Sequence, residues 1–191
     1  MSTHYSPLNK LTPLEELVDI VDVCNRPLAV LPLILVHRQS LLHRSVFVLI
    51  FDHRQRLFLQ KRSQKKTYCP GCYDLSATGH VRAGEATEEA AMRELKDKLG
   101  LTAKRLVLRN EIPASPATRY EFVSFFFAGQ VAGVLTFNPN EIEGGMYVDF
   151  IELAYLTMHF RELLTPTLIY AWENVMIFSL QQVTANTNMT V

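Results

Sequence analysis

Between Gly79 and Leu101 the chain concentrates the side chains best suited to chemistry: Glu85, Glu88, Glu89, Arg93, Glu94, Asp97 and Lys98. Residues three and four apart on a helix are surface neighbours, so Glu94 and Asp97 share a face with Lys98. Carboxylates held that closely repel one another, and a hard divalent cation such as Mg²⁺ or Mn²⁺ relieves the repulsion. Such a cation can polarise a substrate oxygen and activate water, so these residues have the makings of a metal-assisted site. A charged run alone describes many solvated helices. The order of parts sharpens the reading: a glycine loop, acidic residues at a helix start, an Arg-Glu pair, and a closing glycine.

That helix needs a cap and a surface to dock on. Thr87 is predicted as its N-cap, with Glu88 and Glu89 in the first turn, where the helix dipole favours anions. Gly100 is placed to end it in a left-handed conformation. Ala91, Leu95 and Leu99 repeat every four residues and form the apolar stripe that faces a sheet. Upstream, Leu17–Asp22 and Pro27–Leu31 read as strands, and Pro32 opens a short helix through Gln39. Ser45–Phe51 is continuously apolar and predicts a strand covered on both faces. Arg56–Arg62 returns as a second strand, and Asp74–Thr78 is a short extended segment leading to Gly79. Downstream, Lys104–Ile112 and the Phe-rich Tyr120–Val131 predict long strands, and Gly144–Phe150 a further one. A last helix opens at Pro166, with Leu168, Ala171, Trp172, Val175 and Ser179 on one stripe.

With 191 residues, of which 48% are hydrophobic and 20% charged, the chain suits one well-buried domain. Its 19 basic and 19 acidic side chains cancel, which removes a net field for a nucleic-acid polymer or a membrane surface. Cys24, Cys69 and Cys72 are too few for a disulfide framework and suit a reducing, cytoplasmic setting. No basic segment followed by an apolar core opens the chain, so no signal peptide is read. The expected organisation is a flexible segment 1–15, a single domain 16–182 and a flexible tail 183–191.

The stretch from Gly79 resembles the Nudix box, G-x5-E-x7-R-E-U-x-E-E-x-G-U with U aliphatic. Gly79, Glu85, Arg93, Glu94, Leu95, Gly100 and Leu101 fall in register, while Asp97 and Lys98 replace the paired glutamates. The resemblance implies an α/β fold, a Nudix-type α/β/α sandwich with a mixed sheet between helices. It also implies an Mg²⁺- or Mn²⁺-dependent hydrolase of a nucleoside diphosphate derivative or another small diphosphate compound. By the same resemblance, Gly79 supplies a carbonyl to the metal, Glu94 and the shorter Asp97 are ligands, and Arg93 orients Glu85. Glu141 or Glu143, in the loop before Gly144-Gly145, is placed to add a carboxylate.

Lys98 departs from the pattern, because an ammonium stands where a ligand belongs. Glu94 and Lys98 lie in the favoured i,i+4 order for a helix ion pair, as do Glu89 and Arg93; Arg93 and Asp97 share the spacing. The helix charges can therefore satisfy one another without a metal. This leaves two expectations open: a hydrolase, or a catalytically impaired domain that binds a ligand or a protein.

Outside the box, His37–Arg44, Leu59–Ser63 and Pro70–Asp74 are similar to the Nudix subgroup related to isopentenyl-diphosphate isomerase. His43 and His80 match histidines of that pattern, and Glu121 lies near its second catalytic position. Thr78 stands where the isomerase has a catalytic cysteine, which argues against proton addition to an alkene. Cys69-Pro70-Gly71-Cys72 has the spacing of a zinc half-site or redox pair but also fits the pre-box loop. Lys61, Arg62, Lys65, Lys66, Arg82 and Arg119 are candidates to face an anionic substrate. His37, His53 and His159 carry no legible pattern. Oligomeric state is not encoded in any of these features.

Overall fold

A computed structural model describes residues 16–128 and 131–176. The expected tail and the Ser179 end of the last stripe lie outside the described residues. An antiparallel pair, β1 (Leu17–Val21) and β2 (Pro27–Pro32), precedes a short helix α1 (Leu33–Arg38). The central strand β3 (His43–Leu49) pairs antiparallel with β6 (Ala77–His80) and parallel with β9 (Glu121–Ala128). With β8 (Leu106–Ile112) antiparallel beyond β9, the four strands run in the order β6-β3-β9-β8. A second sheet pairs β11 (Ile142–Val148) with β4 (Leu57–Arg62), which also pairs with the short β5 (Tyr73–Asp74). The two-residue strands β7 (Thr102–Ala103) and β10 (Val131–Ala132) close the set.

Alternation along β3 and β4 divides the interior into two layers. Phe47, Leu49, Leu57 and Leu59 face a core shared with α3 (Phe150–His159) and α4 (Pro166–Ala171), through Leu153, Leu168, Ala171 and Trp172. Val46, Val48, Ile50 and Phe58 face the opposite core, closed by Ala90, Ala91, Leu95 and Leu99 of α2 (Thr87–Leu99). Helices thus cover both faces of mixed strands, an α/β/α sandwich. The stripe of α2 is fully buried, and truncating Leu95 to Ala would cost about 2–5 kcal/mol.

Three local readings change. Ala86, not Thr87, is the N-cap of α2; Glu89 accepts the Ala86 N–H at 3.2 Å, so the acidic first turn does the capping. Helix α3 is not anticipated, because Phe150 reads as the end of the strand from Gly144. Its signal is a capping box: Asp149 accepts the Glu152 N–H and Glu152 accepts the Asp149 N–H, both at 2.8 Å. The last helix changes from α to π geometry at Trp172–Met176. Gly100 does end α2 in the left-handed region, at φ 66°.

Candidate active site

Strand β6, the second half of α2, the N-terminal ends of β3 and β9 and the loop before β11 surround a cleft of about 330 Å³. Gly79, Arg93, Glu94, Asp97, Lys98 and Glu141 line it, together with Thr78, His80 and Glu121. Gly79 is required by packing: a Cβ there would stand 2.0 Å from Cδ of Glu94. Glu85, in the loop ahead of α2, is not among the lining residues but is held by Arg93, which is.

Arg93 organises the box wall. Its Nε and Nη2 donate to the two oxygens of Glu85, each at 2.8 Å, and Nη2 also donates to the His80 carbonyl at 2.9 Å. Its Nη1 donates to Glu94 Oε1. Burial pushes the Glu85 carboxyl up, but the Arg93 hydrogen bonds and the Arg82 N–H outweigh it and hold it below the usual range. The Arg93 guanidinium is raised further, first by its hydrogen bonds to Glu85.

Lys98 is buried in the same wall. Its ammonium donates to the Thr78 carbonyl and stands 3.3 Å from Glu94 Oε2 and 3.5 Å from Glu141 Oε2. Lys66 reaches the same Glu141 oxygen at 2.7 Å. Burial raises the Glu141 carboxyl, yet Lys98 and Lys66 bring it below its ordinary value. The Glu94–Lys98 pair anticipated from spacing forms, whereas Arg93 turns to Glu85 and Glu94 rather than to Asp97 or Glu89. Asp97 is exposed and has no ion pair among the described residues. Glu143 leaves the cleft and pairs with Lys61 at 2.8 Å.

Across the cleft, His37, His43, His80 and Glu121 bring one ligand atom each within 4.8 Å of one another. The sheet register does this. His43 and Glu121 are partners on the parallel β3–β9 pair, and His80 is the antiparallel partner of Ser45, two residues beyond His43 on the same face. His37 enters from the last turn of α1, its Nε2 3.1 Å from His80 Nε2. The Nδ1 of His43 meets the Leu41 carbonyl at 2.9 Å, which makes Nδ1 the donor and leaves a lone pair on Nε2. That Nε2 is fully buried and has no hydrogen-bond partner among the described residues, 3.8 Å from Glu121 Oε1.

An imidazole lone pair buried without a partner is costly unless a cation completes it. Burial is also the main reason that His37 is lowered to about 4, followed by His80 and Arg119, so its imidazole is neutral. Burial alone would raise Glu121, but hydrogen bonding and charge from His80, then the charge of His43, lower it to about 2. Imidazole nitrogens converging beside a carboxylate are a donor set for a borderline divalent ion such as Zn²⁺ or Mn²⁺. Sequence reasoning reached His43, His80 and Glu121 only by resemblance and missed His37; no local spacing links four residues on four separate elements.

The cleft also carries cations. Arg62, Lys66, Arg82 and Arg119 line it, while Lys61 and Lys65 turn away to Glu143 and Asn140. Arg62 is committed to the Tyr68 carbonyl and to buried Asp74. Arg119 lies 4.0 Å from the Tyr68 ring centroid, with Nη2 3.4 Å from His37 Nδ1. It is held there by consecutive left-handed residues, Arg119 at φ 57° and Tyr120 at φ 64°. The turn before them is fixed by reciprocal Ser115–Thr118 hydrogen bonds, and the Thr118 hydroxyl donates to the Glu121 carbonyl at 2.8 Å. One strained turn therefore delivers both Arg119 and Glu121.

A family model described as the NUDIX domain matches residues 41–166. An uncharacterized Nudix hydrolase of Pseudomonas aeruginosa is 40% identical over 86 residues, 45% of this chain and 51% of that protein. The chain thus spans about half the length of that relative. An isopentenyl-diphosphate Delta-isomerase of Aromatoleum aromaticum is 31% identical over 158 residues, 78% of this chain and 84% of that protein. A crystal structure from Deinococcus radiodurans superposes with TM-score 0.70 at 22% identity, covering 84% of this chain and 99% of the other. A MutT NUDIX hydrolase from Burkholderia pseudomallei gives 0.54 at 24% identity, covering 69% and 96%. At these identities the two structures speak for the fold.

Proposed function

Because the chain belongs to the NUDIX domain family, we propose that it hydrolyses a phosphoanhydride bond in a nucleoside diphosphate derivative or another small diphosphate compound, using a divalent ion at His37, His43, His80 and Glu121. The observation that carries the reading is the unpartnered, buried Nε2 of His43 amid three other converging donors. The Mg²⁺ that the family implies does not fit the box carboxylates of this chain, since Lys98 and Arg93 already occupy Glu94, and Lys98 and Lys66 occupy Glu141. No step is assigned to an ion there.

An ion at the histidine centre would polarise a phosphate oxygen and lower the pKa of water. The chain's own residues do the rest. Arg119 and Arg82 offer guanidinium groups that match phosphate geometry. The Tyr68 ring beneath Arg119 restricts its rotamers, so less freedom is lost on binding. Glu121, lowered to about 2, stays ionised at neutral pH. Gly79 brings the β6 backbone against the cleft without a side chain in the way.

The test is a panel of diphosphate compounds incubated with Mn²⁺, Zn²⁺, Mg²⁺ or no metal and followed by ³¹P NMR. Release of phosphate or a monophosphate with Mn²⁺ or Zn²⁺, abolished by His43→Ala, is the expected result. A second reading is favoured by the saturated box: a domain that binds a phosphorylated ligand without turning it over. Binding of several diphosphates with no turnover in any metal would establish that reading and sink the first. The isomerase named among the relatives is separated in the same experiment, because an isomer of isopentenyl diphosphate would appear without phosphate release. Thr78, a buried hydroxyl 3.4 Å from the Gln60 amide, offers no acid for that protonation.

A further inference from the structure

Lys98 is a long cationic side chain buried in a helix otherwise docked by alanine and leucine, an expensive placement unless it replaces something. An ammonium has three N–H donors, and three acceptors surround this one: the Thr78 carbonyl, Glu94 Oε2 and Glu141 Oε2. These come from β6, from α2 and from the loop before β11, elements distant in sequence. A carbonyl and two carboxylates from separate elements are what a hard divalent ion collects. Other cations crowd the same carboxylates: Arg93 holds the other oxygen of Glu94, and Lys66 shares Oε2 of Glu141. The carboxylates Glu85, Glu94 and Glu141 thus meet the cations Arg93, Lys98 and Lys66 one for one. An entering Mg²⁺ would find no uncompensated charge on Glu85, Glu94 or Glu141, only the exposed Asp97 at the rim, and Lys98 would repel it.

We propose that Lys98 is the resident cation of the box, a positioning residue that ties β6, α2 and the pre-β11 loop together as a divalent ion would, so that the box itself takes up no metal. The statement that the chain then binds a single ion rests on the histidine-centre reading above. The box statement stands apart from it. The consequence is a division of labour, with the box as a fixed wall and the histidines as the only metal-binding side of the cleft among the described residues.

The test is Mn²⁺ stoichiometry on the full chain, read from loss of the free-ion EPR signal. It uses wild type, Lys98→Glu, Lys98→Gln, and each combined with His43→Ala. Wild type is expected to bind one Mn²⁺ and to lose it in His43→Ala. Lys98→Glu places a third carboxylate beside Glu94 and Glu141 and is expected to gain a second Mn²⁺ that survives His43→Ala. Lys98→Gln removes the charge at similar length, so it keeps the measurement informative if the glutamate variant does not fold. A folded Lys98→Gln is expected to gain the same site with lower affinity. A merely structural lysine would change stability and leave stoichiometry untouched.

The proposal is overturned if wild type holds a Mn²⁺ that His43→Ala leaves in place, or if folded Lys98 variants gain none. If wild type binds no Mn²⁺ and Lys98→Glu gains one, the proposal for Lys98 stands and the histidine-centre reading fails.

Discussion

The two acidic walls of the cleft handle their charges in opposite ways. On the box wall Glu85, Glu94 and Glu141 each touch at least one cation: Glu85 with Arg93, Glu94 with Arg93 and Lys98, Glu141 with Lys98 and Lys66. On the histidine wall a single carboxylate, Glu121, faces three imidazoles, and the Nε2 of His43 has no hydrogen-bond partner among the described residues. Both walls are rich in potential ligands, yet one is closed by its own side chains and the other is incomplete. Counting carboxylates alone points to the closed wall. What separates them is whether the donors are already spent.

The sharpest break of this contrast is His43→Ala, which should eliminate Mn²⁺ binding and all turnover; calorimetric titration that still shows wild-type affinity would make the two walls equivalent. Arg93→Ala strikes the closed wall instead. It leaves Glu85 and Glu94 without their shared cation, and urea denaturation should show a loss of about 3 kcal/mol. An unchanged midpoint would mean that the wall is not held by its ion pairs.

Gly79→Ala tests the same wall sterically, since the added Cβ collides with Glu94; about 2 kcal/mol of destabilisation is expected in the same assay. Arg119→Ala should raise the KM for a diphosphate substrate about tenfold, the value of one charge-assisted hydrogen bond, with melting temperature unchanged. A change in kcat alone would remove Arg119 from substrate binding. Asp97→Asn is expected to do least, altering Mn²⁺ affinity and turnover by less than about twofold, because it lies exposed at the rim of the closed wall. A large drop would reinstate Asp97 as a ligand.

These contrasts track how far apart in sequence the partners lie. Helix α2 was legible from its stripe of Ala91, Leu95 and Leu99 and its closing Gly100, because helical neighbours are fixed by local periodicity. The Glu94–Lys98 pair was legible for the same reason. Its third partner Glu141 came only through resemblance, being brought over by the β4–β11 pairing and the loop that precedes β11. Helix α3 was hidden by an apolar composition that also suits a strand, and only the Asp149–Glu152 capping box marked it. The N-cap of α2 moved by one residue because Glu89 caps from within, where Thr87 would cap from outside.

By itself the sequence determined the family, the helix that carries the box, and the presence of an ammonium where a ligand was expected. All of these depend on order and spacing along one continuous segment. The tertiary structure alone decided that Lys98 is spent on Thr78, Glu94 and Glu141, and that His37 joins His43, His80 and Glu121. Sheet register and the docking of α1 set those distances, and neither can be read from the residues on any one strand.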